Sequence, residues 1–490
     1  MLREWRLNLK LVLRRGKGAD PVYIQIAQGL IREIERGRLK SGDVLPGSRE
    51  MAAELGVNRK TVTIAYDDLI AQGWLVSRKT KGTFVSRKLP ESRRGLDSLE
   101  TPVSRAERWQ FRRLADAHDV PAIFPRSGVV LLDDGTPDTR LFPVENFARA
   151  YRSVIALAGK VGKLGYGDPR GSRVLRTAIA RMLGVNRGLA TTPDRVCVTR
   201  GSQMAIYLAS RLLIKPGDAV VVDKLTYPPA REAFRAAGAN ILRANIDDAG
   251  TDVASLEELC RKHRVRVVYL TPHHHFPTTV LMTPERRRRL LALSSQFGFV
   301  VIEDDYDHEF HFARQPLLPL SAFDPGVVYI GSMSKLLSPH LRLGYISANE
   351  EFIERAAQEI LLIDRQGDQV TEEAVAQLIE SGEVQRHASR ALQVYADRRD
   401  EFGAALATEL GDIIDFRPPD GGLAFWLTFK SPAVLDRLEE NAASCGLSFL
   451  PSRSFSGLGN GTRGLRVGFA GLDSQKLGDV IRRMTIAMEA

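Results

Sequence analysis

The stretch GSMSKLLSPHLRLGY, residues 331–345, decides between two interpretations of this chain. It places Lys335 between serines, directly after the apolar run VVYI, and Arg342 follows seven positions later. Taken alone, the stretch fits a surface loop with a solvated lysine. It fits equally well a lysine that forms a Schiff base, with Ser332, Ser334 and Arg342 binding a phosphate. The rest of the chain favours the second interpretation.

The composition indicates a soluble globular protein of several domains. The chain has 490 residues, of which 44% are hydrophobic and 26% charged, and its length suggests about three domains. No run approaches the roughly 18–20 apolar residues of a membrane span, so no membrane partner is expected. The basic N-terminus has no signal core or cleavage site, which predicts an unprocessed, cytoplasmic protein. The three cysteines are far apart and show no disulfide framework or metal spacing.

The positive charge is concentrated at the N-terminus. Residues 1–90 hold 18 Lys and Arg against 9 Asp and Glu, and so carry +9 of the total net charge of +10. A basic module joined to a nearly neutral one predicts a polyanionic partner for the N-terminal part. The alternative on charge alone is a solvated basic face.

The N-terminal module has the pattern of a helix-turn-helix. Residues 21–39 carry apolar side chains at helical spacing after Pro21. Ser48 is expected to cap a second helix and Asn58 a third, with a tight turn at Gly56 between them. The following segment GWLVSRKTKGTFVS, residues 73–86, reads as two short strands around a basic tip. The two strands form a wing.

Residues 21–85 resemble the winged-helix DNA-binding domain of the GntR family. The resemblance rests on PVYIQIA, GRLKSGDVLPGSREMAAELGVNRKTV and GTFV. It implies double-stranded DNA as a partner, with side chains near the start of the third helix in the major groove. The residues implied in DNA contact are Arg49, Asn58, Arg59, Thr61, Thr63, Lys81 and Gly82. Each of them singly could instead be a solvated polar residue, and which of them read bases stays open.

Beyond a polar linker, residues 87–125, the pattern changes to alternating strands and helices. The linker is compatible with a short helix around 104–116. Short apolar runs separated by helical stretches predict a mostly parallel α/β sheet. The predicted strands are RVCVT (195–199), AVVVD (219–223), RVVYLTP (266–272), FVVIEDD (299–305) and VVYIGS (327–332).

Chemically active residues follow these predicted strands. Sites in such folds gather at the carboxyl ends of the strands. A pyridoxal phosphate needs a lysine amine, a carboxylate at its ring nitrogen, a donor at its phenolate oxygen, a stacked ring and a phosphate cup. In that order, the residues that fit are Lys335, Asp304, Tyr306, Tyr227, and the set Ser202, Gln203, Ser332, Ser334 and Arg342.

The chain from about residue 128 to its end resembles the fold-type I aminotransferases. The segments DGTPDTRLFP (134–143), LGYGDPRGSRVLR (164–176) and LRVGFA (465–470) add to the match. The resemblance implies a large and a small subdomain, the small one covering about 355–490. It also implies that Tyr166 reaches the cofactor phosphate of a partner subunit and that Arg466 binds the α-carboxylate of an amino acid.

The run HHHFPTTV, residues 273–280, departs from the aminotransferase pattern. Phe276 stands where these enzymes have an asparagine that donates to the cofactor ring, and Thr279 replaces a glycine. Three consecutive histidines alternate faces in a strand and cannot all ligate one ion, so no metal site is expected. The histidines are expected to line the pocket mouth or form hydrogen bonds, and one could sense the distal group of an effector.

Together the two modules resemble the MocR/GabR family of bacterial transcription regulators. The predicted organisation is a DNA-binding domain at 1–86, the linker, and a pyridoxal-phosphate-binding effector domain at 126–490. The resemblance implies a head-to-tail homodimer whose effector, an amino acid, an amine or the cofactor itself, acts through aldimine chemistry at Lys335. An active aminotransferase with a DNA-binding tail, or a plain GntR regulator with an inert effector domain, are the alternatives. The effector, the target genes and the sign of regulation stay open.

Overall fold

The structure is a computed structural model. It describes residues 11, 13–14, 16, 18–79, 81–90, 128–132, 135–312, 317–456 and 462–490. The chain divides into two compact units, Met1–Arg113 and Leu114–Ala490. Most of the predicted linker, and the helix considered around 104–116, lie outside the described residues. Within those ranges, no helix combines the length and the apolar character needed to cross a membrane.

The N-terminal unit is a winged helix. Its elements are α1 (Val22–Glu35), α2 (Ser48–Leu55), α3 (Arg59–Ala71), β1 (Leu75–Arg78) and β2 (Gly82–Val85). The apolar faces of the three helices and the two strands form one buried core. Strands β1 and β2 are antiparallel, and they bring the basic tip to the end of the wing.

The turn between α2 and α3 has the predicted glycine and the predicted cap at Asn58, but the predicted cap at Ser48 is wrong. Gly56 ends α2 in the left-handed region, with φ of 60°, where glycine meets no steric penalty. The side chain of Asn58 accepts from the backbone N–H of Lys60 and so caps α3. The prediction that Ser48 caps α2 is wrong, because Gly47 holds that position and Ser48 is already helical. The Ser48 hydroxyl accepts instead from Nε of Arg59 at 3.3 Å.

The second unit contains fourteen strands within the described residues. They are β3 (Val130–Leu131), β4 (Val196–Thr199), β5 (Ala219–Asp223), β6 (Asn240–Ala244), β7 (Ile246–Asp247), β8 (Gly250–Thr251), β9 (Val265–Leu270), β10 (Val300–Asp305), β11 (Val328–Ser332), β12 (Gly344–Ser347), β13 (Ile414–Phe416), β14 (Ala424–Phe429), β15 (Leu447–Ser448) and β16 (Gly464–Gly468).

Helices separate most of these strands. They are α4 (Val144–Lys160), α5 (Arg173–Arg187), α6 (Ser202–Leu213), α7 (Pro228–Ala236), α8 (Val253–Lys262), α9 (Pro284–Phe297), α10 (Glu350–Ile363), α11 (Gln369–Glu380), α12 (Glu383–Leu410), α13 (Pro432–Asn441), α14 (Arg453–Ser456) and α15 (Ser474–Glu489).

Seven strands form the central sheet, in the order β4-β12-β11-β10-β9-β5-β6. All its pairings are parallel except those of β12, which is antiparallel to both β11 and β4. The mostly parallel sheet is therefore confirmed, and apolar layers cover both of its faces. Because β4, β5, β9, β10 and β11 run in the same direction, their carboxyl ends meet at one edge of the sheet.

The C-terminal part of this unit forms a smaller subdomain. Strands β13, β14 and β16 make an antiparallel sheet, against which α13, α15 and the second half of α12 pack. The small subdomain was expected from about 355, yet α10 and α11 pack into the cores beside the central sheet. The apolar core changes along α12, because Val384 and Ala388 face the large subdomain whereas Phe402 and Leu406 face the small one.

Candidate functional site

A cavity of about 150 Å³ lies at the carboxyl edge of the central sheet. It brings together nine of the ten residues predicted to bind the cofactor; Tyr166 is the exception. Two further lining residues, Thr271 and Phe276, were not among the predicted site residues. The complete lining is Ser202, Gln203, Tyr227, Thr271, Phe276, Asp304, Tyr306, Ser332, Ser334, Lys335 and Arg342.

One end of the cavity has the donors of an anion site. Ser202 and Gln203 occupy the first turn of α6, where backbone N–H groups have no partner within the helix. Arg342 follows a short 3-10 turn in the left-handed conformation, with φ of 50°. Its Nη2 donates to the carbonyl of Arg200 at 2.8 Å, which holds the guanidinium beside the start of α6. Ser332 ends β11, and its hydroxyl accepts from the N–H of Ser334 at 3.1 Å.

Close backbone packing fixes this end of the cavity. Gly201 has φ of 80°, and an added Cβ there would lie 3.1 Å from Nη2 of Arg342. A Cβ at Gly344 would lie 2.6 Å from the carbonyl carbon of Gly201. Both positions therefore require glycine if α6 and the segment after Lys335 are to meet.

The amine of Lys335 lies inside the cavity and is half-buried. Its Nζ donates to the carbonyl oxygen of Gly135 at 2.8 Å. Gly135 was not predicted as a contact, although it lies in the DGTPDTRLFP segment. Its φ of 97° and its packing against Leu423 orient that carbonyl.

Asp304 is fully buried near the end of β10. Its Oδ2 accepts from the hydroxyl of Tyr269 at 2.7 Å. Its Oδ1 is buried and has no hydrogen-bond partner among the described residues. Burial raises the pKa of Asp304 to about 7, while the hydrogen bond from Tyr269 lowers it. A buried carboxylate with one unpaired oxygen is suited to a cationic hydrogen-bond donor in the cavity.

The aromatic wall of the cavity joins the two subdomains. The rings of Tyr227 and Phe276 meet edge to face, with centroids 5.1 Å apart. The hydroxyl of Tyr306 donates to the carbonyl of His274 at 3.0 Å. Arg466, which comes from β16 of the small subdomain, lies over the Phe276 ring at 4.8 Å.

Arg466 is buried and contacts the large subdomain. Its Nη1 donates to the carbonyl of Pro277 at 2.9 Å, and its Nη2 lies 3.3 Å from the hydroxyl of Tyr306. Arg466, which was predicted to bind a carboxylate, therefore lies beside Tyr306, a residue that lines the cavity. Thr279, in the place of the family's glycine, adopts φ of 63°, a strained conformation for a β-branched side chain.

Tyr166 lies apart from the cavity of its own chain. Its side chain is 77% exposed, and the guanidinium of Arg365 lies 4.1 Å from the centre of its ring. It lies in the loop between α4 and α5, and Arg365 follows α10.

The histidines at 273–275, 308 and 311 lie in a buried polar layer, and none of these five lines the cavity. His274 pairs through Nδ1 with Asp307 at 2.7 Å, and His275 pairs with Thr278 at 2.8 Å. Burial lowers the pKa of His311 to about 4 and that of His273 well below the usual value. Both rings are therefore neutral near pH 7. For His274 and His275 the structure shows the hydrogen bonds that were one of the expected roles.

The predicted DNA-contacting residues lie on the winged helix. Arg49, Asn58, Arg59 and Thr63 are exposed around the turn and the start of α3, and Thr61 is half-buried. Lys81 and Gly82 are exposed at the tip of the wing. Asn58 uses its side-chain oxygen as a cap, and Thr63 donates to the carbonyl of Arg59 at 3.1 Å.

The chemistry of the cavity fits pyridoxal phosphate. It offers a lysine amine for an aldehyde, an anion site, and an orphaned carboxylate oxygen for a ring nitrogen. Gln203 Oε1 is a second buried acceptor without a hydrogen-bond partner in the described part of the chain. A polar ligand would satisfy atoms that otherwise carry a desolvation cost.

Two family models match the chain. Residues 22–85 match the gntR family of bacterial regulatory proteins. Residues 127–484 match aminotransferase class I and II, a family that depends on pyridoxal phosphate. The second match covers more than half of the chain.

Similar proteins include regulators and aminotransferases. The probable rhizopine catabolism regulatory protein MocR of Rhizobium meliloti is 28% identical, over 96% of this chain and 94% of its own. The transcriptional regulator TauR of Rhodobacter capsulatus is 30% identical, over 89% of this chain and 90% of its own. The structure of LysN, the α-aminoadipate aminotransferase of Thermus thermophilus, matches with a TM-score of 0.69 and 29% identity, covering 74% of this chain and 92% of its own. The chain therefore belongs to the MocR/GabR family of transcriptional regulators, in which a GntR-type DNA-binding domain precedes a domain of the aminotransferase class I and II family.

Proposed function

We propose that this regulator binds pyridoxal phosphate at Lys335 and senses an amino acid or an amine, which changes its affinity for DNA. The observation that carries the proposal is the convergence of Lys335, Asp304 and Arg342 in one cavity of a chain that also has a GntR domain. A regulator with an inert effector domain would have no need to keep an anion site and a buried carboxylate around a lysine. Because its partner is DNA, its proposed compartment is the cytoplasm.

Each wall of the cavity has a distinct task in holding the cofactor. The first turn of α6, with Ser202, supplies donors for the phosphate, and Arg342 adds a charged fork. The unpaired oxygen of Asp304 would accept from the ring nitrogen, and Tyr227 would offer an aromatic face. The cofactor, when bound, supplies an aldehyde that condenses with amines and a ring that withdraws electrons.

Lys335 would hold the cofactor through its amine, and an amine effector would act by displacing Lys335. A displaced Lys335 would keep the hydrogen bond from its Nζ to the carbonyl of Gly135 that the structure shows. An effector that is already the cofactor itself would need no such displacement.

Arg466 is placed to bind the carboxylate of an effector and to change the contacts between the two subdomains. The residue belongs to the small subdomain but donates to Pro277 and approaches Tyr306, both in the large subdomain. A carboxylate bound by the guanidinium of Arg466 would replace these contacts and favour a different arrangement of the subdomains. An effector that binds the two arrangements unequally shifts their populations, and a coupling of about 1–3 kcal/mol changes DNA affinity roughly 5–150-fold.

A homodimer completes the proposal. The family resemblance supports a head-to-tail pair, with Tyr166 reaching the site of the other subunit. The end of α10 exposes Leu361, Leu362 and Ile363, of which Leu362 is 83% exposed. Such an apolar run beside the exposed Tyr166 suits an interface. Sedimentation of the wild type and of Leu362→Glu tests this: the account expects a dimer that the substitution weakens, and a monomeric wild type would contradict it.

The function is tested by measuring DNA affinity with and without effector. A preferred duplex is first selected from random sequence, and its affinity for the cofactor-loaded protein is then measured at fixed salt with a panel of amino acids and amines. At least one compound should change the affinity 5-fold or more, that is by about 1 kcal/mol, and Lys335→Ala should abolish the change. A full response in Lys335→Ala would contradict the covalent form of the proposal.

An active aminotransferase remains the second candidate, because the lysine, the carboxylate and the anion site are all present. Product formation with the same amino acids and a panel of keto acids separates the two. Sustained turnover would favour the enzyme, and a single-turnover signal or none would favour the sensor.

A further inference from the structure

Strand β10 carries a second group of polar residues on the face opposite the cavity. Successive side chains of a strand point to opposite faces, so Asp304 faces the cavity and Asp305 faces away from it. Asp305 lies with His273, His308 and His311, and these four residues are named the histidine cluster here. None of them lines the cofactor cavity.

The cluster is compact, and three of its four residues are buried, whereas His311 is half-buried. The ring centres of His273 and His308 are 4.5 Å apart, those of His308 and His311 5.4 Å, and those of His273 and His311 5.8 Å. One ligand atom each from His273, Asp305 and His308 lie within 4.8 Å of one another. His273 and Asp305 are each 2% exposed and His308 is 5% exposed.

Three polar atoms of the cluster are buried without a hydrogen-bond partner among the described residues. They are Nδ1 of His273, Oδ1 of Asp305 and Nδ1 of His311. Buried polar atoms are nearly always paired, because leaving one unpaired costs its full desolvation penalty. Three such atoms on neighbouring side chains indicate that a shared partner belongs among them.

The remaining contacts hold the ligand atoms in place. His308 pairs through Nδ1 with Oδ2 of Asp305 at 2.8 Å, and the hydroxyl of Tyr329 donates to the same oxygen at 2.6 Å. One ion can therefore bind both side chains only by replacing the hydrogen bond between them, with Nδ1 of His308 and an oxygen of Asp305 as its ligand atoms. The hydroxyl of Tyr329 would then remain as the outer partner that orients the Asp305 carboxylate.

The charge balance also accommodates a cation. Arg187 is buried beside the cluster, 3.8 Å from Asp305, and forms an ion pair with Glu309. Its single positive charge meets two carboxylates, and the nearby Arg287 is matched by Glu303 at 3.6 Å, so these arginines and carboxylates together leave one negative charge. A divalent ion would be balanced in part by that negative charge.

We propose that the histidine cluster binds one divalent transition-metal ion of the Zn²⁺ class, with His273, His308 and Asp305 as ligands and His311 as a further one. Imidazole nitrogens with one carboxylate oxygen are the donors that Zn²⁺, Co²⁺ and Ni²⁺ accept, whereas Mg²⁺ and Ca²⁺ take oxygen ligands. Zinc–nitrogen bonds are about 2.0–2.1 Å long and place tetrahedral ligand atoms roughly 3.3 Å apart. The ligand atoms, which lie within 4.8 Å of one another, would therefore approach by at most about 1.5 Å. The consecutive histidines do not argue against this, because the site uses one of the three.

The competing explanation is a layer of imidazoles held only by hydrogen bonds. The two explanations differ in what they predict for added metal. A metal site predicts one equivalent of bound ion and a higher unfolding temperature in its presence. The hydrogen-bonded layer predicts neither.

The first experiment measures Zn²⁺ binding to the full chain after removal of metal with a chelator. The expected result is one Zn²⁺ per chain. His273→Asn and His308→Asn should each lower the affinity for Zn²⁺ by at least about 100-fold. Loss of an outer-shell partner costs up to about that much, and loss of a direct ligand should cost no less. His263→Asn, at an exposed histidine at the end of α8, is the matched control and should bind as the wild type does. A wild type that binds no Zn²⁺, or two cluster variants that bind it unchanged, would overturn the proposal.

The second experiment needs no substitution, so it stands even if a cluster variant fails to fold. Co²⁺ is added to the metal-free wild type, and its visible d–d bands report its coordination. Intense bands of a four- or five-coordinate ion with nitrogen ligands are expected, displaced by Zn²⁺. The weak bands of a hexa-aquo ion would overturn the proposal. Neither result depends on the cofactor, because the cluster lies outside its cavity.

Discussion

The hydroxyl of Tyr269 donates to Oδ2 of Asp304 at 2.7 Å, and the other oxygen of that carboxylate is left buried without a hydrogen-bond partner among the described residues. Burial raises the pKa of Asp304 to about 7, although the bond from Tyr269 lowers it. We propose that the carboxylate lowers the stability of the cofactor-free fold and contributes to binding of the cofactor. Stability and binding place opposite demands on this one side chain.

Asp304→Asn should separate these two demands. The pKa of Asp304 is higher in the folded chain than in the unfolded chain, so the stability of the cofactor-free protein falls as pH rises from about 4 to about 7. Asn carries no charge and keeps an acceptor for Tyr269. The cofactor-free variant should therefore exceed the wild type in free energy of unfolding by about 2–4 kcal/mol at pH 8 and match it near pH 4.

Urea unfolding at the two pH values measures the effect. The same variant should bind the cofactor about 10-fold or more weakly, because a charge-assisted hydrogen bond is lost. A variant that is less stable than the wild type at pH 8, or that binds the cofactor equally well, would contradict the role given to Asp304.

Arg342→Ala tests the anion site. The substitution removes the charged fork beside the start of α6 and should lower the affinity for pyridoxal phosphate by about 10–100-fold. Affinity for pyridoxal, which lacks the phosphate, should change little. Arg211→Ala, on the exposed face of the same helix, is the control and should alter neither affinity. Equal losses for both ligands would place Arg342 away from the phosphate.

Arg466→Lys tests how the effector's carboxylate is recognised. Lysine keeps the charge but cannot offer two parallel donors. The concentration of an amino acid that produces half of the spectral change should rise about 10-fold or more, while that of the matching amine without a carboxylate should stay the same. If the two compounds respond alike, the carboxylate is bound elsewhere.

Lys81→Ala tests the wing. A side chain that contacts a DNA phosphate contributes about one unit to the slope of log affinity against log salt concentration. The substitution should lower that slope by about one unit and weaken binding to all duplexes alike. Arg38→Ala is the control, because Arg38 already forms an ion pair with Glu33. An unchanged slope for Lys81→Ala would show that the tip of the wing does not touch DNA.

Much of the cofactor cavity was predictable because its residues follow strands. An apolar run in the sequence predicts a buried strand. The residues that follow such a run are then expected at the carboxyl edge of the sheet. Asp304 and Lys335 were found in this way, as was Tyr227. The strands at 299–305 and 327–332 match β10 and β11 to within one residue.

Features that depend on distant parts of the chain were not predictable. Strand β12 begins at the end of the quoted stretch and was not predicted, because four residues give no clear period and its antiparallel pairing with β4 is long-range. Gly135 contacts Lys335 across 200 residues of sequence, and nothing local marks it as a partner. The histidine cluster likewise joins residue 273 to residues 305–311, and only the fold brings them together.

Whether Lys335 holds pyridoxal phosphate can be read from a visible absorption spectrum. The wild type and Lys335→Ala are each loaded with pyridoxal phosphate, and their spectra are recorded before any effector is added. We expect a band in the wild type that is absent from the variant and that shifts when one amino acid or amine of a panel is added. If the wild type has no Lys335-dependent band, its lysine holds no cofactor, and only the DNA-binding half of the function stands.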